Sequence, residues 1–145
     1  MNIYTMGFTQ KSAEEFFNLI KKNGIEILID IRLNNQSQLA GFTKGRDLAF
    51  FLSSICGCKY DHMIPYAPTK EILDAYKKGT LTWDEYEVQY NDLIKRRAVE
   101  ETFEKRYSEY DRVLLLCSEP TPEQCHRRLL AEYLATKLDA KVIHI

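Results

Sequence analysis

The sequence predicts an α/β fold: a single domain with a mostly parallel sheet of about five strands and helices on both faces. Short apolar runs alternate along the chain with stretches of helical period, the pattern of strand–helix–strand units. One run, IEILIDIR at 25–32, is almost continuously β-branched, as a strand covered on both sides must be. The 145 residues contain no internal repeat, low-complexity tract or linker. That length supports one core rather than two, so residues 1–145 read as one domain.

The elements follow in order. Residues 2–6 (NIYTM) form a short strand running into Gly7. Ser12 to Glu15 has the spacing of a capping box, and Phe16, Phe17 and Ile20 give the following helix its apolar stripe up to Gly24. Strand 25–32 comes next and ends on Asp30 and Arg32. Residues 33–45 are polar, glycine-containing and without period, and are expected to be a loop. Leu48, Phe51, Leu52 and Ile55 mark a second helix closed by Gly57, and 59–63 a short strand. Pro65 and Pro68 impose a loop before a helix near 70–78, closed by Gly79. Thr82 to Glu85 is another capping box, opening one long helix to about residue 108. Residues 112–117 (RVLLLC) are a strand, 122–138 the last helix and 141–145 (KVIHI) a final strand.

Composition narrows the function classes. Charged residues are 28% and the hydrophobic set 45%, ordinary for a soluble globular protein. A net charge of −1 gives no global basic field, which disfavours a dedicated nucleic-acid binder while leaving a local basic patch open. The beginning MNIYTMGF lacks the charged and apolar regions of an export signal. No segment approaches the roughly 20 apolar residues that span a bilayer. A cytoplasmic location without membrane contact is the expectation. Four cysteines (56, 58, 117 and 125) show no disulfide framework, and Cys56 and Cys58 read as structural, with Gly57 ending a helix between them.

Chemistry concentrates in VLLLCSEPTPEQCHRRLLAEYL at 113–134. An apolar strand ends on Cys117, a turn carries Glu119, and a helix follows with Cys125, His126 and Arg127. Open α/β sheets place ligands beyond the carboxyl ends of their strands. Thr121, Pro122 and Gln124 have the chemistry of N-cap, first turn and capping box. Continued at 100° per residue, that helix buries the side of Leu130, Leu134 and Leu138. His126 and Arg127 then flank the buried stripe, and Cys125 points with the solvent side.

Three chemistries fit. Arg127 and a helix N-terminus suit a phosphate or carboxylate. Cys117 suits an activated thiolate, with Glu119 or His126 as acid or base. Cys117, Cys125 and His126 suit a metal, but the outward phase of Cys125 sets that aside, and no metal or cofactor is assigned. Each has an ordinary counterpart: Cys117 as a small buried hydrophobe, Arg127 as the ion-pair partner of Glu119 or Asp30. Glu123, where a cysteine-phosphatase loop needs arginine, disfavours that chemistry.

Asp30 and Arg32 lie on one face of their strand and are candidate ligand contacts or partners of Glu119 and Arg127. Thr9 ends the first strand beside Gly7, but G-x-G-x-x-G and the P-loop are both missing. Lys95, Arg96, Arg97 and Arg106, with tyrosines 86, 90, 107 and 110, offer a basic–aromatic surface diluted by Glu100, Glu101 and Glu104.

Three blocks resemble the widespread bacterial and archaeal family called domain of unknown function 488: IYTMGFT, ILIDIR, and LLLCSEPTPEQCHRRLLAEYL with the VIHI end. Phe42, Leu48 and Tyr60 stand at family-like spacing, so the likeness spans essentially the whole chain. Where many members read T-I-G-H-S, this chain has Thr5-Met6-Gly7-Phe8-Thr9. A histidine role there is lost, and Thr9 replaces the serine hydroxyl. The resemblance implies a compact α/β fold and no particular activity.

The residues together predict a polar site at the carboxyl edge of the sheet, lined by Asp30, Arg32, Cys117, Glu119, His126 and Arg127. Its expected ligand is a small anion or nucleotide-like molecule, with Arg32 and Arg127 as anion clamps. The alternatives are a nucleic-acid-associated module and a non-catalytic interaction protein whose polar cluster is an ion-pair network.

Overall fold

In a computed structural model, which describes residues 1–36 and 40–145, five strands form one all-parallel sheet. They are β1 (Asn2–Gly7), β2 (Ile27–Asp30), β3 (Lys59–His62), β4 (Arg112–Cys117) and β5 (Lys141–His144). Their order is β3-β2-β4-β1-β5. The register sets Gly7 beside Cys117 and Asp30 beside Leu116, so the ends of three central strands meet at one edge.

Side-chain alternation divides the core. Ile3, Ile27, Ile29, Val113 and Leu115 face helices α3 (Lys70–Lys77), α4 (Trp83–Arg96), α5 (Val99–Tyr107) and α6 (His126–Leu138). Tyr4, Met6, Leu28, Leu114 and Leu116 face α1 (Ala13–Lys22) and α2 (Gly45–Phe51). The chain leaves β1 and β2 over the α1/α2 face, moving toward β3. It leaves β4 over the opposite face, through α6 to β5. β4 therefore stands between two neighbours whose connections depart on the other side. Such a reversal opens crevices at the strand ends, and Cys117 closes β4 there.

Local chemistry accounts for most boundaries. Ser12 accepts from the backbone N–H of Glu15 at the start of α1. At Thr82 both halves of the capping box form. The predicted second helix is α2 continued by a π-helical turn, Leu52–Cys56, and Gly57 ends it at φ +61°. The segment 33–45 is not wholly irregular: Gly41–Thr43 is a 3₁₀ turn and Gly45 already belongs to α2. Its residues 37–39 lie outside the described residues.

Two helical expectations are corrected. The stretch 82–108 is two helices, because Ala98 adopts a left-handed backbone at φ +50°. Arg97, just before the break, donates to the carbonyls of Pro65 and Ala67, and the redirected α5 buries Val99, Phe103 and Tyr107. An alanine in that conformation carries steric strain, so Ala98→Gly is expected to stabilise the fold by about 1 kcal/mol despite glycine's chain entropy. The urea midpoint should rise; an unchanged or lower midpoint would refute the strain. The second correction concerns the last helix, which begins at His126 and not at 122.

Candidate functional site

That late start reorganises the turn after β4. Residues 118–125 are irregular, and Cys125 is the N-cap of α6 with an extended backbone, φ −141° and ψ 138°. Gln124 does not cap: its amide oxygen accepts from the Tyr76 hydroxyl at 3.2 Å. The Glu123 carbonyl accepts from Arg128 Nε. Helical phase thus has no hold on Cys125. Contrary to expectation it is buried, 2% exposed, and its sulfur turns inward to Cys117.

The order within α6 agrees better. Leu130 and Leu134 are fully buried, and Glu132 and Thr136 are exposed. His126 and Arg127 are both buried at its first turn but separate from one another. His126 goes to the cavity between α6, α4 and the ends of β2 and β4. Arg127 goes beneath Gly7.

Cys117 forms the floor of that cavity, which has a volume of about 420 Å³. Its Sγ lies 3.5 Å from His126 Nδ1 and 3.8 Å from Nε2. His126 Nε2 is 2.8 Å from the Ile31 carbonyl oxygen, and Tyr90 packs edge-on against the ring. A carbonyl only accepts, so the neutral ring carries its proton on Nε2 and leaves Nδ1 as the acceptor. At nearly equal distances from both nitrogens, the sulfur lies over the face of the ring and not along the Nδ1 lone pair.

The surroundings favour a negative sulfur. A hydrogen bond from Cys125 holds the Cys117 thiol below its ordinary value, aided by the backbone N–H groups of Ser118 and Glu119 and the charge of Arg127, against the cost of burial. Cys125 is pushed well above the ordinary value by that same neighbour and by burial. The two thiols are therefore shifted in opposite directions. Together with His126 they form the three-residue group whose ligand atoms all lie within 4.8 Å of one another. The ground for setting a metal aside, an outward Cys125, does not hold.

The other expected site residues are placed differently. Asp30 and Arg32 face the α1/α2 side and close on each other, Nη2 to Oδ2 at 2.7 Å and Nε to Oδ1 at 2.8 Å. Arg32 also donates to the Thr43 carbonyl at 2.7 Å and stacks on Phe8, while Tyr60 donates to Asp30. Arg32 reaches the cavity wall with its guanidinium already occupied.

Arg127 is 1% exposed and does not line the cavity. Its Nη1 donates to the backbone carbonyl of Glu119, not to the carboxylate, and its Nε has no partner among the described residues. The Glu119 side chain is exposed at the cavity mouth. Thr9 donates its hydroxyl to the Ser118 carbonyl, so it fastens the loop beside the cysteine.

Sequence reasoning missed the far wall. Trp83 and Tyr86 stack on each other at 4.9 Å and 20°, and Tyr76 and Lys77 of α3 stand beside them along the cavity. Nothing local to the cysteine could have found residues that the β3–β4 connection brings across the sheet. The basic–aromatic surface is dismantled in turn: Tyr86, Tyr90 and Tyr107 are buried, and Arg96 and Arg106 pair with Asp92 and Asp61.

The model of a domain of unknown function, DUF488, matches residues 12–134, which contain the cysteine, the histidine and the whole cavity wall. The chain belongs to the DUF488 family. No curated protein and no solved structure matches it. Membership of DUF488 supplies no ligand or reaction, so function rests on the cavity. Among the described residues no helix is long and apolar enough to cross a membrane.

Proposed function

We propose that this DUF488 protein binds a small, planar, negatively charged molecule of nucleotide type in the cavity and uses Cys117 as a nucleophile. The observation that carries the reading is the Cys117 sulfur at the floor of a 420 Å³ cavity, within 3.5 Å of an imidazole nitrogen whose proton lies on the other nitrogen. A turn of the His126 ring that brings the Nδ1 lone pair onto the sulfur lets Nδ1 take the thiol proton and frees the sulfur lone pair for attack. The imidazolium then donates from both nitrogens and keeps its bond to Ile31. Glu119, at the mouth, is placed to exchange protons with a bound molecule.

Trp83, Tyr86 and Tyr76 supply a flat apolar wall, and Lys77 a positive charge beside it. No carboxylate pairs with Arg127 among the described residues, so its charge adds positive potential from below. Arg32 adds less, because Asp30 cancels it. A reducing cytoplasm suits four unpaired thiols.

Trp83 is the chain's only tryptophan, so its fluorescence reports directly on the cavity. Titration with nucleoside monophosphates and sugar phosphates is expected to change that fluorescence saturably. In parallel, iodoacetamide should modify Cys117 before Cys56, Cys58 and Cys125, and a bound probe should slow it. Cys117→Ala should keep the fluorescence response while losing any covalent turnover. No saturable response to any probe, or Cys117 as the slowest thiol, would overturn the reading.

A further inference from the structure

We infer that Cys117, Cys125 and His126 bind a thiophilic divalent cation such as Zn²⁺ through Sγ, Sγ and Nδ1, with the fourth position facing the cavity. The inference does not depend on the proposed ligand or on nucleophilic attack.

Geometry comes first. Zinc holds sulfur at about 2.3 Å and imidazole nitrogen at about 2.0–2.1 Å in tetrahedral sites, which places such ligand atoms roughly 3.5 Å apart. Cys117 Sγ and His126 Nδ1 are 3.5 Å apart, and all three ligand atoms fall within 4.8 Å of one another. Closing the site needs the two sulfurs to approach slightly and the imidazole to turn so that its Nδ1 lone pair, and not its face, meets the ion.

The outer partner is also in place. Metal-bound imidazoles commonly donate the other N–H to a carbonyl or carboxylate, which fixes the tautomer and the ring plane. The Ile31 carbonyl takes that role at 2.8 Å from Nε2, and packing of Tyr90 against the ring restrains it further.

Charge and access agree. Two thiolates and one divalent cation sum to zero, which removes the repulsion that two adjacent thiolates would suffer in a buried pair. Each thiol proton leaves to solvent on binding, and no other bond changes. Sulfur donors select zinc-like ions over magnesium or calcium. Cys117, Cys125 and His126 all line the cavity, so three protein ligands leave one position for water or a ligand atom, the arrangement of reactive rather than purely structural zinc sites. The same sulfur cannot be ligand and free nucleophile at once. A metal-loaded protein is expected to lose the reactivity of Cys117.

The test uses the whole chain, freed of metal and kept reduced with a phosphine. Co²⁺ should produce thiolate-to-metal charge-transfer and tetrahedral ligand-field absorption, and Zn²⁺ should bleach both at one ion per chain. Zn²⁺ competition against a chromophoric chelator should show at least about a hundredfold weaker binding for Cys117→Ser and for Cys125→Ser, at or beyond the loss typical of outer-shell changes. Cys56→Ser should leave binding unchanged. On the unmodified protein, Zn²⁺ should protect Cys117 and Cys125 from iodoacetamide together, which keeps the test independent of whether a variant folds. Native affinity in either serine variant, or Zn²⁺ that protects neither thiol of the native protein, would overturn the site. Trp83 titrations on metal-free protein separate this outcome from the fate of the nucleotide-type reading.

Discussion

Gly7→Ala is expected to destabilise the protein by about 3 kcal/mol or more, at or above the upper end of what overpacking usually costs. The cause is steric. A Cβ at Gly7 would overlap the backbone carbonyl of Glu119 and come within 2.8 Å of Arg127 Nη1. A flexible side chain could yield, but here the first obstacle is main chain. That main chain is held by Arg127 Nη1 on Glu119 and by the Thr9 hydroxyl on Ser118. Relief must therefore push the 118–125 loop away from β1, breaking the bond that satisfies Arg127. The displaced loop also carries the backbone N–H groups that stabilise the Cys117 sulfur, so iodoacetamide should modify Cys117 more slowly relative to Cys56. Urea unfolding and site-resolved alkylation check both effects. A loss below about 1 kcal/mol would show that the loop gives way freely and that Arg127 does not hold it.

Much of this was legible before the structure, and the reasons differ by element. The strands were written in composition: RVLLLC is β4 to the residue, and the apolar heart of IEILIDIR is β2. Caps with two complementary partners were readable too, as Thr82 and Glu85 show. The turn at 121–124 failed for an instructive reason. Thr121, Pro122 and Gln124 carry the chemistry of a helix start, but Gln124 is drawn to Tyr76 and Cys125 to Cys117. Long-range bonds outcompeted a local motif worth about 1 kcal/mol. Ala98 failed for a similar reason, since no residue preference announces a left-handed alanine between two helices. The candidate site was legible as a cluster of residue types at the carboxyl edge of the sheet, where Cys117, Cys125 and His126 meet at the cavity. Its internal division was not, because Arg127 and His126 diverge only once the neighbouring strands are known.

Arg32→Met is expected to cost about 3–5 kcal/mol, the usual penalty for breaking a buried ion pair from one side. Asp30 is fully buried and Arg32 is 4% exposed, so solvent cannot take over the carboxylate left behind. The bond from Tyr60 would remain, but one hydroxyl does not replace a bidentate guanidinium. Most of the loss should come from the stranded charge and not from the missing contact. Asp30→Asn combined with Arg32→Met should therefore be more stable than Arg32→Met alone, because the amide still accepts from Tyr60 and carries no charge to strand. Urea midpoints of the two singles and the double complete the cycle. Destabilisation that simply adds would mean that Arg32 acts through its packing on Phe8 and its bond to Thr43. Ligand binding discriminates further. If Arg32 is committed to Asp30, the folded double variant should retain the Trp83 response to anionic probes at nearly the original affinity. A large loss of affinity in that variant would return Arg32 to the anion and make Asp30 the residue that merely positions it.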